Sequence, residues 1–274
     1  LNRVLPFSSK DDSRPVLQNV LFRAKEGKLT LVGADGFRLA VVSLDFDGEG
    51  DALIPRDDLF GIASALRKAY RVNLSFEKRS SDLDTYDLLI DTEIARYNLF
   101  GVEGSFPDYQ KLIPAETPIT AHLDTVEMGK AIASLSVLAD SKDLCLNGGI
   151  VMSLPDGKGE VTLPADIEGG EVSIRLDGSY LVQALKACGG MADFKLTDGQ
   201  SPALFEVDGF QLVTMPMMSP KSEAEAEQKS EAEQEPQAEQ EPQAETEPQT
   251  EQEPQTEPES KPKRKRKAKE PVAV

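Results

Sequence analysis

Tryptophan is absent from the 274 residues, histidine occurs once and cysteine twice, and these shortages close off much metal and redox chemistry. With His122 the single imidazole and Cys145 and Cys188 the single pair of thiols, no CxxC or HxxxH spacing exists, so neither a metal site nor a cofactor is expected. A Ser/His/Asp triad would have to use His122, which lies in "TPITAHLDT", a stretch that reads as a connection between domains. No GxGxxG or Walker-type glycine loop occurs, and "GADG" has the wrong spacing for either. No window approaches 18 consecutive apolar residues and no signal peptide opens the chain, which makes a reduced, cytoplasmic setting the expectation, with both cysteines as small core residues. The carboxylate pairs Asp11-Asp12 and Asp57-Asp58 read as loop and helix-cap residues. The chain is therefore not expected to be an enzyme, a carboxylate-dependent catalyst standing as the alternative.

What the chain does carry is acidity, at a formal net charge of −18. From Pro220 onward there are 9 basic and 15 acidic residues, and before it 21 basic and 33 acidic, so both parts are acidic. That balance argues against nucleic-acid binding over the whole surface and leaves room for a local basic strip.

Apolar alternation predicts strands over Val16 to Ala24, Lys28 to Val32 and Phe37 to Leu44, the last two joined by Asp35-Gly36, a strong hairpin signal. Arg38 stands inside this apolar run and needs a partner or an exit to solvent. Leu59, Ile62, Ala63 and Leu66 recur at helical spacing within Ile54 to Ala69, with Asp57 or Asp58 placed as the cap. Three short strands follow: "RVNLSFE", "YDLLIDT" and "RYNLFGV". The order then recurs. Asp124 to Ala139 is an amphipathic helix capped by Asp124, "GGIVMSL" and "GEVTLPA" form a hairpin, "GEVSIRL" is a strand, and a helix capped by Asp177 stops at Gly189-Gly190 before three more strands. Leu66 matches Leu185 and Phe76 matches Leu196 at offsets of 119 and 120, as two copies of one α+β unit would.

Beyond Pro220, "EPQAEQ", "EPQAET", "EPQTEQ" and "EPQTEP" form a six-residue repeat with almost nothing to bury, expected to be a disordered linker. It ends in "KPKRKRKAKE", whose seven basic residues from Lys261 to Lys269 read as a hook for DNA or another polyanion, or as a solvated run.

Four separated stretches, "ADGFRLAVVS", "SFPDYQKLIP", "SYLVQAL" and "FQLVTMPM", resemble the middle and last domains of the bacterial sliding clamp, the beta subunit of DNA polymerase III, over about Leu1 to Met218. The resemblance implies an α+β fold of tandem clamp-type domains, each with two helices packed on antiparallel sheets: 1–115 the middle domain, 116–219 the last, and 220–274 the disordered tail. It also implies a non-catalytic processivity factor that encircles duplex DNA without regard to sequence and binds peptides of the polymerase III alpha subunit, the clamp loader and other clamp-motif proteins. No membrane partner is implied, and the location is cytoplasmic, with the nucleoid.

Carried over to this sequence, the peptide pocket consists of Leu17, Ala34, Gly36, Phe37, Arg38 and Leu39, with Pro107, Lys111 and Leu112 from the "FPDYQKLIP" segment. The last domain adds Asp177, Tyr180, Pro202, Val213, Thr214, Met215, Pro216 and Met217. An apolar floor with a methionine lip suits varied peptides, and Arg38 and Tyr180 supply orienting polar groups. Lys10, Arg14, Arg67, Lys68, Lys130 and Lys186 are the DNA-facing candidates. In that family a homo-oligomeric ring joins two three-domain chains. Here the first domain has no counterpart, "LNRVLPFSS" is too short for the first helix and breaks at Pro6, and the start at Leu1 rather than Met suggests a processed chain or a fragment. The alternatives are a truncated module that binds peptides without encircling DNA, and a ring in which three two-domain chains supply six domains.

Overall fold

The structure is a computed structural model that describes residues 1–79, 85–135, 141–155, 157 and 159–217. Contacts divide the chain into Leu1–Ser230 and Glu231–Val274, and every described residue belongs to the first unit. The glutamate repeat, the basic run Lys261 to Lys269, and the expected end of the second helix past residue 135 lie outside the described residues.

After 3-10 turns at Leu5–Phe7 and Pro15–Gln18 come β1 (Asn19–Lys25), β2 (Lys28–Ala34), β3 (Arg38–Asp45), β4 (Gly50–Pro55), α1 (Arg56–Lys68), β5 (Val72–Lys78), β6 (Tyr86–Thr92) and β7 (Arg96–Leu99). A connector with a third 3-10 turn at Tyr109–Leu112 leads to β8 (Ile119–Asp124), α2 (Thr125–Leu135), β9 (Ser141–Leu146), β10 (Ile150–Ser153), β11 (Glu160–Leu163), β12 (Asp166–Glu168) and β13 (Val172–Asp177). The described chain closes with α3 (Gly178–Cys188), β14 (Met191–Leu196), β15 (Ala203–Val207) and β16 (Phe210–Thr214).

The repeat expected from the sequence is visible as topology. The first half orders four strands β3-β2-β1-β4, and the second orders four strands β11-β10-β9-β13, each set leading into a helix and three antiparallel strands. The triple β14-β15-β16 does not stand alone as β5-β6-β7 does. Its last strand pairs with β3, from Phe210 opposite Val42 to Thr214 opposite Arg38, and this fuses both halves into a nine-stranded sheet, β12-β8-β14-β15-β16-β3-β2-β1-β4.

Alternation along these strands sends side chains to two different cores. Val20, Phe22, Leu31, Ala40, Ile54, Phe205 and Leu212 join the main core, which also takes in Leu59 of α1 and Ile132, Leu181 and Leu185 of α2 and α3. Their neighbours Leu21, Val32, Ala34, Leu39, Val41, Leu53, Leu204 and Val213 point the other way and are covered by Phe106, Tyr109 and Ile113 of the connector. Gly33 is required on the main-core side, where an added Cβ would stand 2.9 Å from both Cγ1 and the carbonyl oxygen of Val4.

Several expectations need correction. "ITAHLD" is not a connection but β8, paired on one side with β14 and on the other with β12, because Ile119, Ala121 and Leu123 alternate into the core. Residues 50–55 form β4 against β1, so α1 begins only at Arg56; Pro55 is its cap residue without a side-chain bond, and Asp57 and Asp58 occupy the first turn, where they favour the helix dipole. Pro15–Gln18 is a 3-10 turn rather than the start of a strand, since Pro15 supplies no N–H and Asn19 Nδ2 donates to the carbonyls of Pro15 (2.8 Å) and Val16 (3.2 Å). Three α-helices, not two in each half, occur among the described residues; a 3-10 turn with Pro6 stands where the first was expected. The caps on the other two helices form as read. Asp124 Oδ1 accepts from the Val126 and Glu127 amides, and Asp177 accepts from the Ser179 and Tyr180 amides. Among the described residues no helix is long and apolar enough to cross a membrane.

Candidate partner-binding cavity

The β2–β3 hairpin tip is built on Asp35. Its Oδ1 accepts from the amides of Phe37 (3.0 Å) and Arg38 (2.8 Å), its own amide donates to the Arg38 carbonyl (3.2 Å), and Gly36 between them sits at φ 93°. That turn aims Arg38 across the junction between the halves. Its Nε and Nη2 donate to Asp35 Oδ2 at 3.0 and 2.7 Å, and Nη1 donates to Gln183 Oε1 of α3 at 3.0 Å. The guanidinium carbon stands 4.0 Å from the Tyr180 ring centroid and 5.0 Å from that of Phe7. A buried cation is thus satisfied by one carboxylate, one amide and two aromatic rings.

Asp177, the α3 cap, lies behind this cluster. Burial alone would push its carboxyl up, but the bonds from Ser179 and Tyr180 and the Arg38 charge outweigh that and hold it below the ordinary carboxylate range.

Beside the hairpin tip opens a cavity of about 350 Å³, lined by Leu17, Ala34, Gly36, Phe37, Arg38, Leu39, Phe106, Pro107, Tyr109, Leu112, Pro202, Val213 and Met215. Its floor is the outward face of β2, β3 and β16, and its lip is formed by Phe37, Leu112 and Met215, each about half exposed. The Met215 amide donates to the Phe37 carbonyl at 2.9 Å, so lip and hairpin tip are tied together. A larger concavity of about 800 Å³ bordered by Lys10, Asp12, Arg56, Asp57 and Glu103 carries charges of both signs and lacks this apolar continuity.

Eleven of the residues expected from the sequence therefore line one cavity. The other six stand around it. Tyr180 packs beneath Arg38 and 6.4 Å from the Phe37 ring; Asp177 caps α3; Thr214 is buried opposite Arg38. Pro216 and Met217 follow the last strand, and the Met217 amide donates to the Arg175 carbonyl at 2.8 Å. Lys111 is exposed and paired with Asp108 at 2.9 Å. Phe106 and Tyr109 are the lining residues not anticipated. Their signal was two aromatics three apart in "FPDY", the spacing of one 3-10 turn.

The candidate cations are all exposed and belong to several elements. Arg67 and Lys68 end α1 and Lys186 lies in the last turn of α3, where they also complement the helix dipoles. Lys130 of α2 pairs with Glu127 at 2.7 Å. Arg14 Nη1 approaches the Asp35 carbonyl at 3.4 Å, and Lys10 borders the larger concavity.

The sheet order, the repeated unit and the junction between the halves define the fold of a DNA-clamp type protein. Crystal structures of sliding clamps share it: one from Pseudomonas aeruginosa superposes with a TM-score of 0.71 at 24% identity, over 80% of this chain and 62% of that one. One from Bacillus subtilis gives 0.71 at 22% identity, over 79% and 60%. A further Pseudomonas aeruginosa structure is of a clamp bound to griselimycin. In sequence, the chain is similar to the bacterial beta sliding clamps. It is 28% identical over 225 residues to that of Synechocystis sp., covering 72% of this chain and 56% of that protein. It is 26% identical over 212 residues to that of Streptomyces coelicolor, covering 72% and 55%. The chain thus spans just over half the length of the curated relatives it matches. No family model matches it.

Proposed function

We propose that this chain is a non-catalytic DNA sliding-clamp component of bacterial replication, cytoplasmic and associated with the nucleoid, which holds partner peptides in the cavity beside Arg38. The observation that carries the reading is that cavity: a continuous apolar trough at the join between two repeated units, with a flexible methionine lip and one fixed cation, in a chain similar to beta sliding clamps. Two clamp-type domains, 1–115 and 116–219, share its walls, and a charged tail occupies 220–274. The peptides it suits are short and apolar, as would be supplied by the polymerase III alpha subunit, the clamp loader and other proteins with a clamp-binding motif.

Duplex DNA is the second partner. Contacts would run through phosphates without base readout, using Lys10, Arg14, Arg67, Lys68, Lys130 and Lys186. A homo-oligomer would be needed to surround the duplex.

The test is primer extension by the cognate polymerase and clamp loader on a circular template. Adding this chain should lengthen the products made per binding event, and Leu112→Ala with Met215→Ala should abolish the gain while leaving the circular dichroism spectrum unchanged. No gain from the wild-type chain, or a gain that survives in the folded double variant, contradicts the proposal.

A further inference from the structure

The outward face of the sheet continues past the cavity beside Arg38. Cross-strand partners carry one row of apolar side chains from Val41 through Val32 and Leu21 to Leu53, so the face that floors the cavity runs on across β2 and β1 to the edge strand β4. The connector crosses this face, and Phe106 stands on the crossing. It lines the cavity on one side and, on the other, a trough of about 500 Å³.

The trough changes character along its length. Its floor holds the buried pair Leu21 and Leu53, part of the core that Phe106 covers, and two residues further along the same strands the facing pair Arg23 and Asp51. Arg23 Nε donates to Asp51 Oδ2 at 2.7 Å, and both side chains are nearly half exposed. One wall is the connector itself, residues 103–106. The Val102 amide donates to the Leu53 carbonyl at 2.9 Å; beyond that bond, none of the amides or carbonyls of residues 103–106 has a hydrogen-bond partner among the described residues. Residues 103–105 are exposed, which leaves a short length of main chain open to an added strand. Glu103 makes no ion pair among the described residues, and Arg79, which its field reaches, is bonded to Asp87. On its other side Glu103 borders the larger concavity, where Asp57 holds Arg56 at 2.9 Å. The trough thus carries one guanidinium, already paired, against two carboxylates.

We propose that this trough receives a lysine- or arginine-bearing flank of the same partner peptide whose apolar part fills the cavity. The flank passes over Phe106, lies extended along residues 103–106, and sets a basic side chain against Glu103. Apolar contact in the cavity supplies the common part of the affinity, and the trough discriminates among partners by the charge beside their apolar motif.

The trough acts only where the cavity holds a peptide, so the assignment rests on that reading, and the experiment separates the two. The probes are a short apolar clamp-binding peptide of a bacterial replicative polymerase, and the same peptide extended by Ser-Lys-Ser-Lys at its amino or its carboxyl end. Binding to the full chain is followed by fluorescence anisotropy at low ionic strength. One extension should tighten binding by about tenfold. Glu103→Lys, an exposed substitution, should remove most of that gain while leaving the affinity for the unextended peptide unchanged, which also shows that the variant is folded. In that variant a Ser-Glu-Ser-Glu extension at the same end should tighten binding instead. If the unextended peptide binds and neither lysine extension improves it, or if the gain survives Glu103→Lys, the trough assignment is overturned and the cavity's role stands. An unextended peptide that does not bind the folded chain overturns both.

Discussion

Replacing Arg38 by Ala should cost the folded protein about 3 kcal/mol, because a partly formed buried ion pair is worse than none. The side chain is 7% exposed and its partner Asp35 16%. Truncation removes three side-chain hydrogen bonds and the stacking on Tyr180 and Phe7, and leaves the Asp35 carboxylate with backbone donors alone. Breaking such pairs costs about 3–5 kcal/mol; residual solvent at Asp35 places this one at the lower end. Arg38→Lys keeps the charge but loses the fork and the ring stacking, and should cost about 1–2 kcal/mol. Urea unfolding followed by circular dichroism suits a chain without tryptophan, and the slope should be unchanged while the midpoint falls. A loss below about 1 kcal/mol for Arg38→Ala would refute the view that this residue clamps α3 to the β2–β3 hairpin. It also follows that Arg38 is a poor probe of peptide binding, and that Leu112 and Met215 at the lip are better ones.

Cys188 is buried and its thiol is pushed up to about 11, whereas Cys145 is partly exposed, so alkylation of the native chain at pH 8 should modify Cys145 alone; equal modification of both would contradict the packing of α3. Asp177 is held below its ordinary 3.8, so its capping contribution is complete above that value and is lost as pH falls through the lower folded one. The stability gap between wild type and Asp177→Asn should therefore shrink in acid, and a gap that is the same at pH 7 and below pH 3 would be wrong for this account. Gly36→Ala should destabilise by about 1 kcal/mol through the φ of 93°, even though the Arg14 tip that a Cβ would meet can swing aside; a neutral effect in urea unfolding would mean that the turn relaxes.

Local chemistry made much of this legible. Asp-Gly marked the hairpin, and Asp124 and Asp177 marked two helix starts, because each acts on residues two or three positions away. The repeat offset was readable because both units keep a leucine packed against the core, Leu66 partly and Leu185 fully buried, on the helix before three strands. What escaped depends on partners far along the chain. β8 alternates only over "ITAHLD", between polar neighbours, and becomes a strand through β14 and β12. β9 sits between β10 and β13, and nothing within "SKDLCL" announces a central strand. Tyr109 is buried and Phe106 partly buried because the connector crosses the outward face of the sheet, a consequence of the β3–β16 junction and not of their own segment.

Amide chemical-shift mapping of the isotope-labelled chain, titrated with a short peptide from the clamp-binding region of a bacterial replicative polymerase, tests the central claim most directly. The account predicts saturable shifts gathered at Leu17, Gly36, Phe37, Leu112, Val213 and Met215, the walls and lip of the cavity. Saturable shifts centred elsewhere, or no shifts at all in a folded chain, would contradict it.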